Sequence, residues 1–223
     1  VLQRKTQNAE PVFDPCPDAV TWTESFDQAD STTLGPDLTW TKFPAVFAPD
    51  DGETLDGALT FYGGTDIYAG IAGGVTARAE HEVGCDAMYA QAEIVALNAT
   101  RDLYFQVICR MIEGETYPNH QGFLFLVDRT SGVWTASLYY DAGGVFVATA
   151  SFGGVVPGDV IRVEYDDPDV RGLVNGVPVV TYGSYPNSFV DPGSAGGVAL
   201  GIQGGGVFTP GDTALDNFEM GRL

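Results

Sequence analysis

Apolar and polar residues alternate with a period of two along most of this chain, the pattern of strands with one face in a core and one in water. The clearest run places Ile161, Val163 and Tyr165 between Val160, Arg162 and Glu164. Asp166, Asp167, Pro168 and Asp169 then predict a turn, because proline has no N–H for a ladder and aspartates bond to nearby backbone. Leu173 and Val174, then Asn175-Gly176, then Val177 to Val180 read as a hairpin, since Asn-Gly supplies both positive φ angles of a type I′ turn.

The same period predicts strands at residues 20–26, 40–47 and 59–62, with shorter ones at 67–72 and 75–79. In 88–97, Met88, Ala90, Ala92, Ile94 and Ala96 fall on one face, which favours strand over the helix that the alanines suggest. Leu103, Phe105, Val107, Cys109 and Met111 alternate with Tyr104, Gln106 and Arg110, and residues 98–102 between the two runs predict a hairpin connection. Residues 122–128, GFLFLVD, are apolar nearly throughout, as in a central strand covered on both sides. Residues 134–140 and 145–152 flank another hairpin turn at 141–144. With 160–165, 173–174, 177–182, 198–202 and 215–220 the tally is about a dozen antiparallel strands and no helix, an all-β sandwich or barrel. No repeat of fixed period is present, which disfavours propellers and solenoids.

The length of 223 residues fits one such domain, residues 20–223, preceded by an arm or linker at 1–19 that holds Arg4, Lys5, Pro11, Pro15 and Pro17. Thirty acidic against ten basic side chains give a net charge of −20, which repels phosphate backbones and anionic membranes. Nucleic acid is therefore not an expected partner. No apolar run has membrane-spanning length, so membrane insertion is not expected, and the opening VLQRKTQNAEP is too polar for a secretory signal. A chain that starts at Val1 is what processing, or excision from a longer protein, would leave. Cys16, Cys85 and Cys109 match no zinc or redox spacing; reduced buried thiols are one reading, a Cys16 to Cys85 bridge that pins the arm the other.

Three stretches carry a family resemblance: GDVIRVEYDDPDVRGLVNGVPVVTY at 158–182, ESFDQADSTTLGPDLTW at 24–40, and GVALGIQGGG with TALDNFEMGRL at 197–223. Together they resemble the concanavalin A-like lectin/glucanase superfamily, laminin G-like domains included, of the kind found in actinobacteriophage minor tail proteins. Gln28 stands where arginine is usual in the opening motif. The resemblance implies a jelly-roll β-sandwich whose first and last strands lie side by side, bringing Phe26 and Phe218 into one core layer. It also implies a virion location, contacts with other virion proteins through the arm, and self-association by particle symmetry.

Catalysis finds little support. The retaining glucanases of this superfamily carry E-x-D-x-x-E on one strand, with nucleophile and acid about 5 Å apart. Glu164, Asp166 and Asp169 come nearest, but the last position is Asp and Pro168 interrupts the strand, so the three are not expected to share a face. Of two histidines, His81 lies between Glu80 and Glu82 as a solvated cluster, and His120 sits in a polar loop. No Gly-x-Ser-x-Gly elbow occurs. No cofactor is required, though a structural Ca²⁺ has two candidate sites. One is the acidic loop with Asp50, Asp51, Glu53 and Asp56; the other, implied by the resemblance, is Asp27 with Asp216. Sugar sites pair aromatic faces with amide and carboxylate groups. The candidates are Tyr104, Gln106, Tyr117, Asn119, His120, Trp134, Tyr139 and Tyr140, of which alternation lets only part point outward. Asn98-Ala99-Thr100 fits a glycosylation acceptor, relevant only to a eukaryotic secreted chain. The expectation is a non-enzymatic virion module that presents loops to a host-surface glycan. Its alternatives are a structural virion or capsid-decoration protein anchored by the arm, and a secreted glycan hydrolase.

Overall fold

The structure, a computed structural model, describes residues 16, 19–26, 34, 37–43, 52–55, 58–61, 71–79, 81–85, 87–111, 122–140, 145–183, 195–203 and 212–223. These form strands and connections with no helix. In chain order the strands are β1 (Trp22–Glu24), β2 (Trp40–Phe43), β3 (Gly52–Leu55), β4 (Ala58–Phe61), β5 (Ile71–Ala79), β6 (Met88–Ala96), β7 (Asp102–Met111) and β8 (Phe123–Thr130). They continue as β9 (Val133–Tyr140), β10 (Val145–Ser151), β11 (Val160–Asp166), β12 (Asp169–Val174), β13 (Val177–Tyr182), β14 (Ala195–Gln203) and β15 (Ala214–Arg222).

Two antiparallel sheets face each other. An eight-stranded sheet runs β13-β12-β11-β6-β15-β4-β3, with β1 also paired to β15, and a seven-stranded sheet runs β10-β9-β8-β7-β14-β5-β2. The terminal strands lie side by side as the resemblance implies: Trp22, Thr23 and Glu24 oppose Met220, Glu219 and Phe218. Phe26 and Phe218 are fully buried, and the Trp40 ring lies against both, at 5.5 and 5.1 Å. The Asn175-Gly176 hairpin also forms with both φ angles positive, at 51° and 73°.

The core comes from the inward positions of both sheets. Phe105, Val107, Phe125 and Val127 of the seven-stranded sheet meet Ala90, Ile94, Ile161 and Val163 of the other, all fully buried. Each large apolar side chain so placed contributes ~1.5–3 kcal/mol. The sheets approach closely at Gly172, where a methyl group would come within 2.2 Å of the Phe125 ring.

Several expectations are corrected. β6 and β7 are not a hairpin: β6 pairs with β11 and β15, β7 with β8 and β14, so residues 97–101 cross between sheets. Two strands with matching apolar faces can pair edge to edge or pack face to face, and alternation alone does not separate these cases. Met111 does not share the face of Cys109. A bulge between Ala195 and Gly197 in the β14 pairing, with Arg110 at φ 60°, reverses the alternation and turns Met111 outward. The two short strands expected at 67–72 and 75–79 are replaced by the single β5, and β3 forms within the stretch read as an acidic loop. The cysteines are not all reduced: Cys16 and Cys85 form a disulfide, which ties the end of the expected arm to the sandwich. Cys109 is the free thiol among the described residues, and burial holds it far above its ordinary pKa.

Candidate functional site

The outer face of the seven-stranded sheet is built by register. Tyr104 of β7 opposes Asp128 of β8, which opposes Thr135 of β9. The next outward row is Gln106, Leu126 and Ser137, continued by Thr149 of β10. The row beyond is Ile108, Leu124 and Tyr139. On the other side of β7, these rows meet Gly201, Ala199 and Gly197 of β14, so the sequence puts nothing larger than a methyl group there. On this face the glycine and alanine positions of β14 thus run beside tyrosine, amide and hydroxyl groups, and the row is buried at its Gly197 end, where Arg78 stands opposite.

Tyr104 and Tyr139 are four residues and two strands apart, roughly 17 Å along the sheet at a ~3.4 Å rise and ~4.8 Å strand spacing. Their rings can therefore touch different units of one extended ligand. Tyr139 and Leu126 rest on a buried apolar cluster of Ile108, Met111, Leu124 and Ala195, which fixes that end of the face. At the other end the Asp128 carboxylate accepts hydroxyl hydrogen bonds from Thr130 and Thr135, while Asp102 accepts the Ser131 N–H at 2.7 Å. Asp102 and Asp128 are the only carboxylates in the sequence of these seven strands.

Of the eight sugar-site candidates, Tyr104, Gln106 and Tyr139 share this face. Trp134 and Tyr140 point the other way, in the alternation of Ala136 and Leu138, and pack in the core. Trp134 lies beneath the Arg129 guanidinium and is pressed on Gly154, where an added methyl would meet the indole at 2.4 Å. Tyr140 is fully buried beside Phe123; desolvation raises its pKa and the nearby Arg110 partly offsets this. Tyr117, Asn119 and His120 lie outside the described residues. Asp128, Thr135, Ser137 and Thr149 were not among the candidates. Their signal was parity, since Thr135 and Ser137 stand at even spacing from Tyr139.

The outer face of the eight-stranded sheet is saturated with charge. Arg162 Nε lies 2.8 Å from Glu164 Oε1, an ion pair by distance whose N–H is not aligned as a hydrogen bond. Its Nη1 donates to Gln91 at 3.2 Å, and its guanidinium lies 3.7 Å over the Tyr89 ring. Tyr89 in turn donates to Glu219, and Arg171 reaches Glu164 at 3.9 Å and Asp169 at 3.6 Å. Burial first, then the Glu219 hydrogen bond and charge, raise the Tyr89 pKa to about 12, while Arg162 acts to lower it. Glu164, Asp166 and Asp169 do share a face here, contrary to expectation. The turn folds the chain back so that Asp169 opposes Asp166 and Arg171 opposes Glu164. Cross-strand partners point to the same side.

For the metal candidates, Asp27, Asp50, Asp51 and Asp56 lie outside the described residues, and Glu53 is on β3. Asp216 Oδ1 accepts the Asn217 N–H at 2.7 Å. Beside it, a cleft lined by Thr23, Glu24, Ser25, Asp37, Asn217, Phe218 and Glu219 occupies the meeting point of the terminal strands. Its buried Glu24 is committed to the backbone: the carboxylate accepts N–H groups of Phe26 at 3.0 Å, Asp37 at 3.2 Å and Leu38 at 2.9 Å, and the Trp40 indole at 3.3 Å. Among the described residues no three His, Cys, Asp or Glu side chains group as metal ligands. His81 is not merely solvated: its Nε2 accepts the Thr39 N–H at 3.2 Å and its ring stacks on Trp22 at 4.5 Å.

No protein-family model matches the chain, and no curated protein matches it in sequence. Solved structures do match in shape. An endo-1,3-β-glucanase from Streptomyces sioyaensis superposes with a TM-score of 0.59 at 12% identity, over 96% of this chain and 100% of that one. A Bacillus subtilis protein with a galectin-like fold gives 0.57 at 8% identity, over 90% and 94%. A legume lectin-like domain from Entamoeba histolytica gives 0.54 at 11% identity, over 82% and 90%. At these identities the likeness is one of fold, and the chain is an all-β, concanavalin A-like and galectin-like jelly roll.

Proposed function

We propose that this chain is a non-enzymatic, lectin-like module that holds a glycan on the outer face of its seven-stranded sheet. The observation that carries the reading is the row of half-buried Tyr104, Gln106 and Tyr139 with the exposed Thr149, aromatic and hydrogen-bonding groups that share one face beside the glycine and alanine positions of β14. The structural neighbours include proteins named as lectin-like and as glucanases, so the fold serves both binding and cleavage. Support for binding without cleavage comes from the carboxylates. A retaining pair needs two free groups about 5 Å apart, whereas Asp102 and Asp128 are held by backbone and hydroxyl donors. Glu164 and Asp169 are paired with arginines on the opposite sheet.

The setting we propose is a bacteriophage particle, in the tail, with the glycan on the host surface and other virion proteins bound through the N-terminal segment. Its support is the resemblance of the opening and closing motifs, together with the Cys16–Cys85 disulfide, a bond that persists outside reducing cytoplasm. The test is binding of the purified chain to a panel of bacterial envelope polysaccharides, with Ca²⁺ and with chelator, alongside an assay for released reducing ends. Saturable binding to one polymer without release is expected. Release of reducing ends would overturn the non-enzymatic half, and silence across the panel would turn attention to a purely structural part anchored at Cys16.

A further inference from the structure

Charge on this molecule is distributed in a way that bears on which glycan the face can hold. The chain has ten basic residues, and apart from Arg4 and Lys5 all lie in described backbone. Arg162 and Arg171 are on the opposite sheet, bound to Glu164 and Asp169. Arg222 donates to the Cys16 carbonyl at 3.1 Å, beside the disulfide. Arg129 alternates with the core residues Phe125 and Val127, donates to the Asn98 and Arg101 carbonyls and covers Trp134. Arg101 lies in the crossing between β6 and β7.

Of the remaining three, Lys42 is on β2, while Arg78 and Arg110 belong to the seven-stranded sheet but not to its accessible surface. Arg78 is 2% exposed, and Arg110 is 4% exposed and turned onto the Tyr165 ring at 5.1 Å. The backbone register puts position 42 in the row of Ala77 and Val198, and Val198 is a core residue. Among the segments that join these strands, 62–70, 112–122, 141–144 and 183–194 add Asp66, Glu113, Glu115, Asp141 and Asp191 and no lysine or arginine, while 97–101 holds Arg101.

We infer that the ligand of this face is an uncharged glycan, and that polyanions such as teichoic acids, polyuronates and sulfated chains are rejected. This rests on the reading of the face as a glycan site. Capturing phosphate, carboxylate or sulfate takes arginine or lysine, in bidentate or point-charge contact. Here an acidic polymer would meet Asp102 and Asp128 on the face and a protein of charge −20 behind it, and among the described side chains the arginine in the face's own rows, Arg78 opposite Gly197, is buried. A neutral chain asks only for ring faces, amides and hydroxyls, and Tyr104, Gln106, Thr149 and Tyr139 supply them.

The experiment is equilibrium binding of the full chain to two sets of polymers at low and at high salt. The neutral set is a β-glucan, a galactan and a mannan; the anionic set is a glycerol-phosphate teichoic acid, a polygalacturonate and heparin. Tyr104→Ala and Gln106→Ala run in parallel, with thermal melts to show that both variants fold. The expected result is a neutral polymer bound with affinity changing less than about twofold with salt, and weakened ~10-fold by Tyr104→Ala. An anionic polymer bound saturably, released by salt and weakened by the same substitution, would overturn the inference while leaving the glycan site standing. Binding that neither substitution alters, or no binding by either set, would remove the site and the inference with it.

Discussion

The two outer faces of this sandwich start from the same alternation and end in opposite states. On the eight-stranded sheet charged and polar groups along the middle strands are tied to one another: Arg171 with Glu164 and Asp169, Arg162 with Glu164 and Gln91, Tyr89 with Glu219. Even the Tyr89 ring, which could have been a stacking platform, is covered by the Arg162 guanidinium. On the seven-stranded sheet, Tyr104, Gln106 and Tyr139 stand half-buried beside glycine and alanine positions. A saturated polar network stabilises the fold and leaves little to offer a ligand. The face with few charges and mixed aromatic and hydroxyl groups keeps its capacity to bind, so function is read from what the fold has left available.

The strongest way to break this contrast is to open the saturated face. Arg162→Ala removes the close partner of Glu164, whose side chain is only 14% exposed, and uncovers Tyr89. A partly buried carboxylate left with the more distant Arg171 should cost about 2 kcal/mol, less than a fully buried pair because Arg162 is itself 24% exposed. Urea unfolding should show the loss while glycan affinity stays at the wild-type value; a fall in affinity with the fold intact would mean the ligand sits on the wrong sheet for the present reading. The converse change is Tyr139→Ala. Affinity should fall ~10-fold, about 1.4 kcal/mol, by isothermal titration against whichever polymer binds.

What could be read before the structure followed from how local each signal is. The Asn175-Gly176 hairpin and the Asp166 to Asp169 turn are each encoded within a few residues, and both formed. The pairing of β1 with β15 spans the chain, and only the resemblance of its end motifs made it visible. Those motifs have a physical content: Glu24 collects four N–H donors around Phe26, and Asn217 at φ 49° forms the bulge before Phe218. The separation of β6 from β7 was not legible, because edge pairing and face packing require the same alternation. Nor was the reversal at Arg110, a single bulge with no composition signal of its own. In the candidate site, parity separated Tyr139 from Trp134 and Tyr140. Which parity faced outward had to come from the packing.

Alkaline titration sharpens the contrast from the saturated side. The folded state holds the Tyr89 proton more tightly than the unfolded chain, raising its pKa from 10.0 to about 12. Its contribution is therefore fully present below pH 10 and is lost as pH rises from there through about 12. Unfolding measured across that window should show wild type losing stability faster than Tyr89→Phe, which has no proton to lose. Parallel curves would show that the Glu219 contact does not hold in solution.

The smallest effect tests the open face. Ser137 and Thr149 place their hydroxyls 3.0 Å apart across β9 and β10, and Thr149 also reaches the Ala136 carbonyl at 3.3 Å. Thr149 is exposed but Ser137 is buried, and a neutral hydroxyl pair contributes about 1 kcal/mol net, so Thr149→Val should cost no more than about 1 kcal/mol. On the saturated face a single deletion strands a charge, whereas here it leaves only the neutral Ser137 hydroxyl without this partner. Because Thr149 lies in the Gln106 row, the same substitution should still weaken glycan binding, by roughly threefold, about 0.6 kcal/mol. A stability loss as large as that of Arg162→Ala would show the two faces to be equally committed to the fold, and the distinction between a structural and a binding surface would no longer hold.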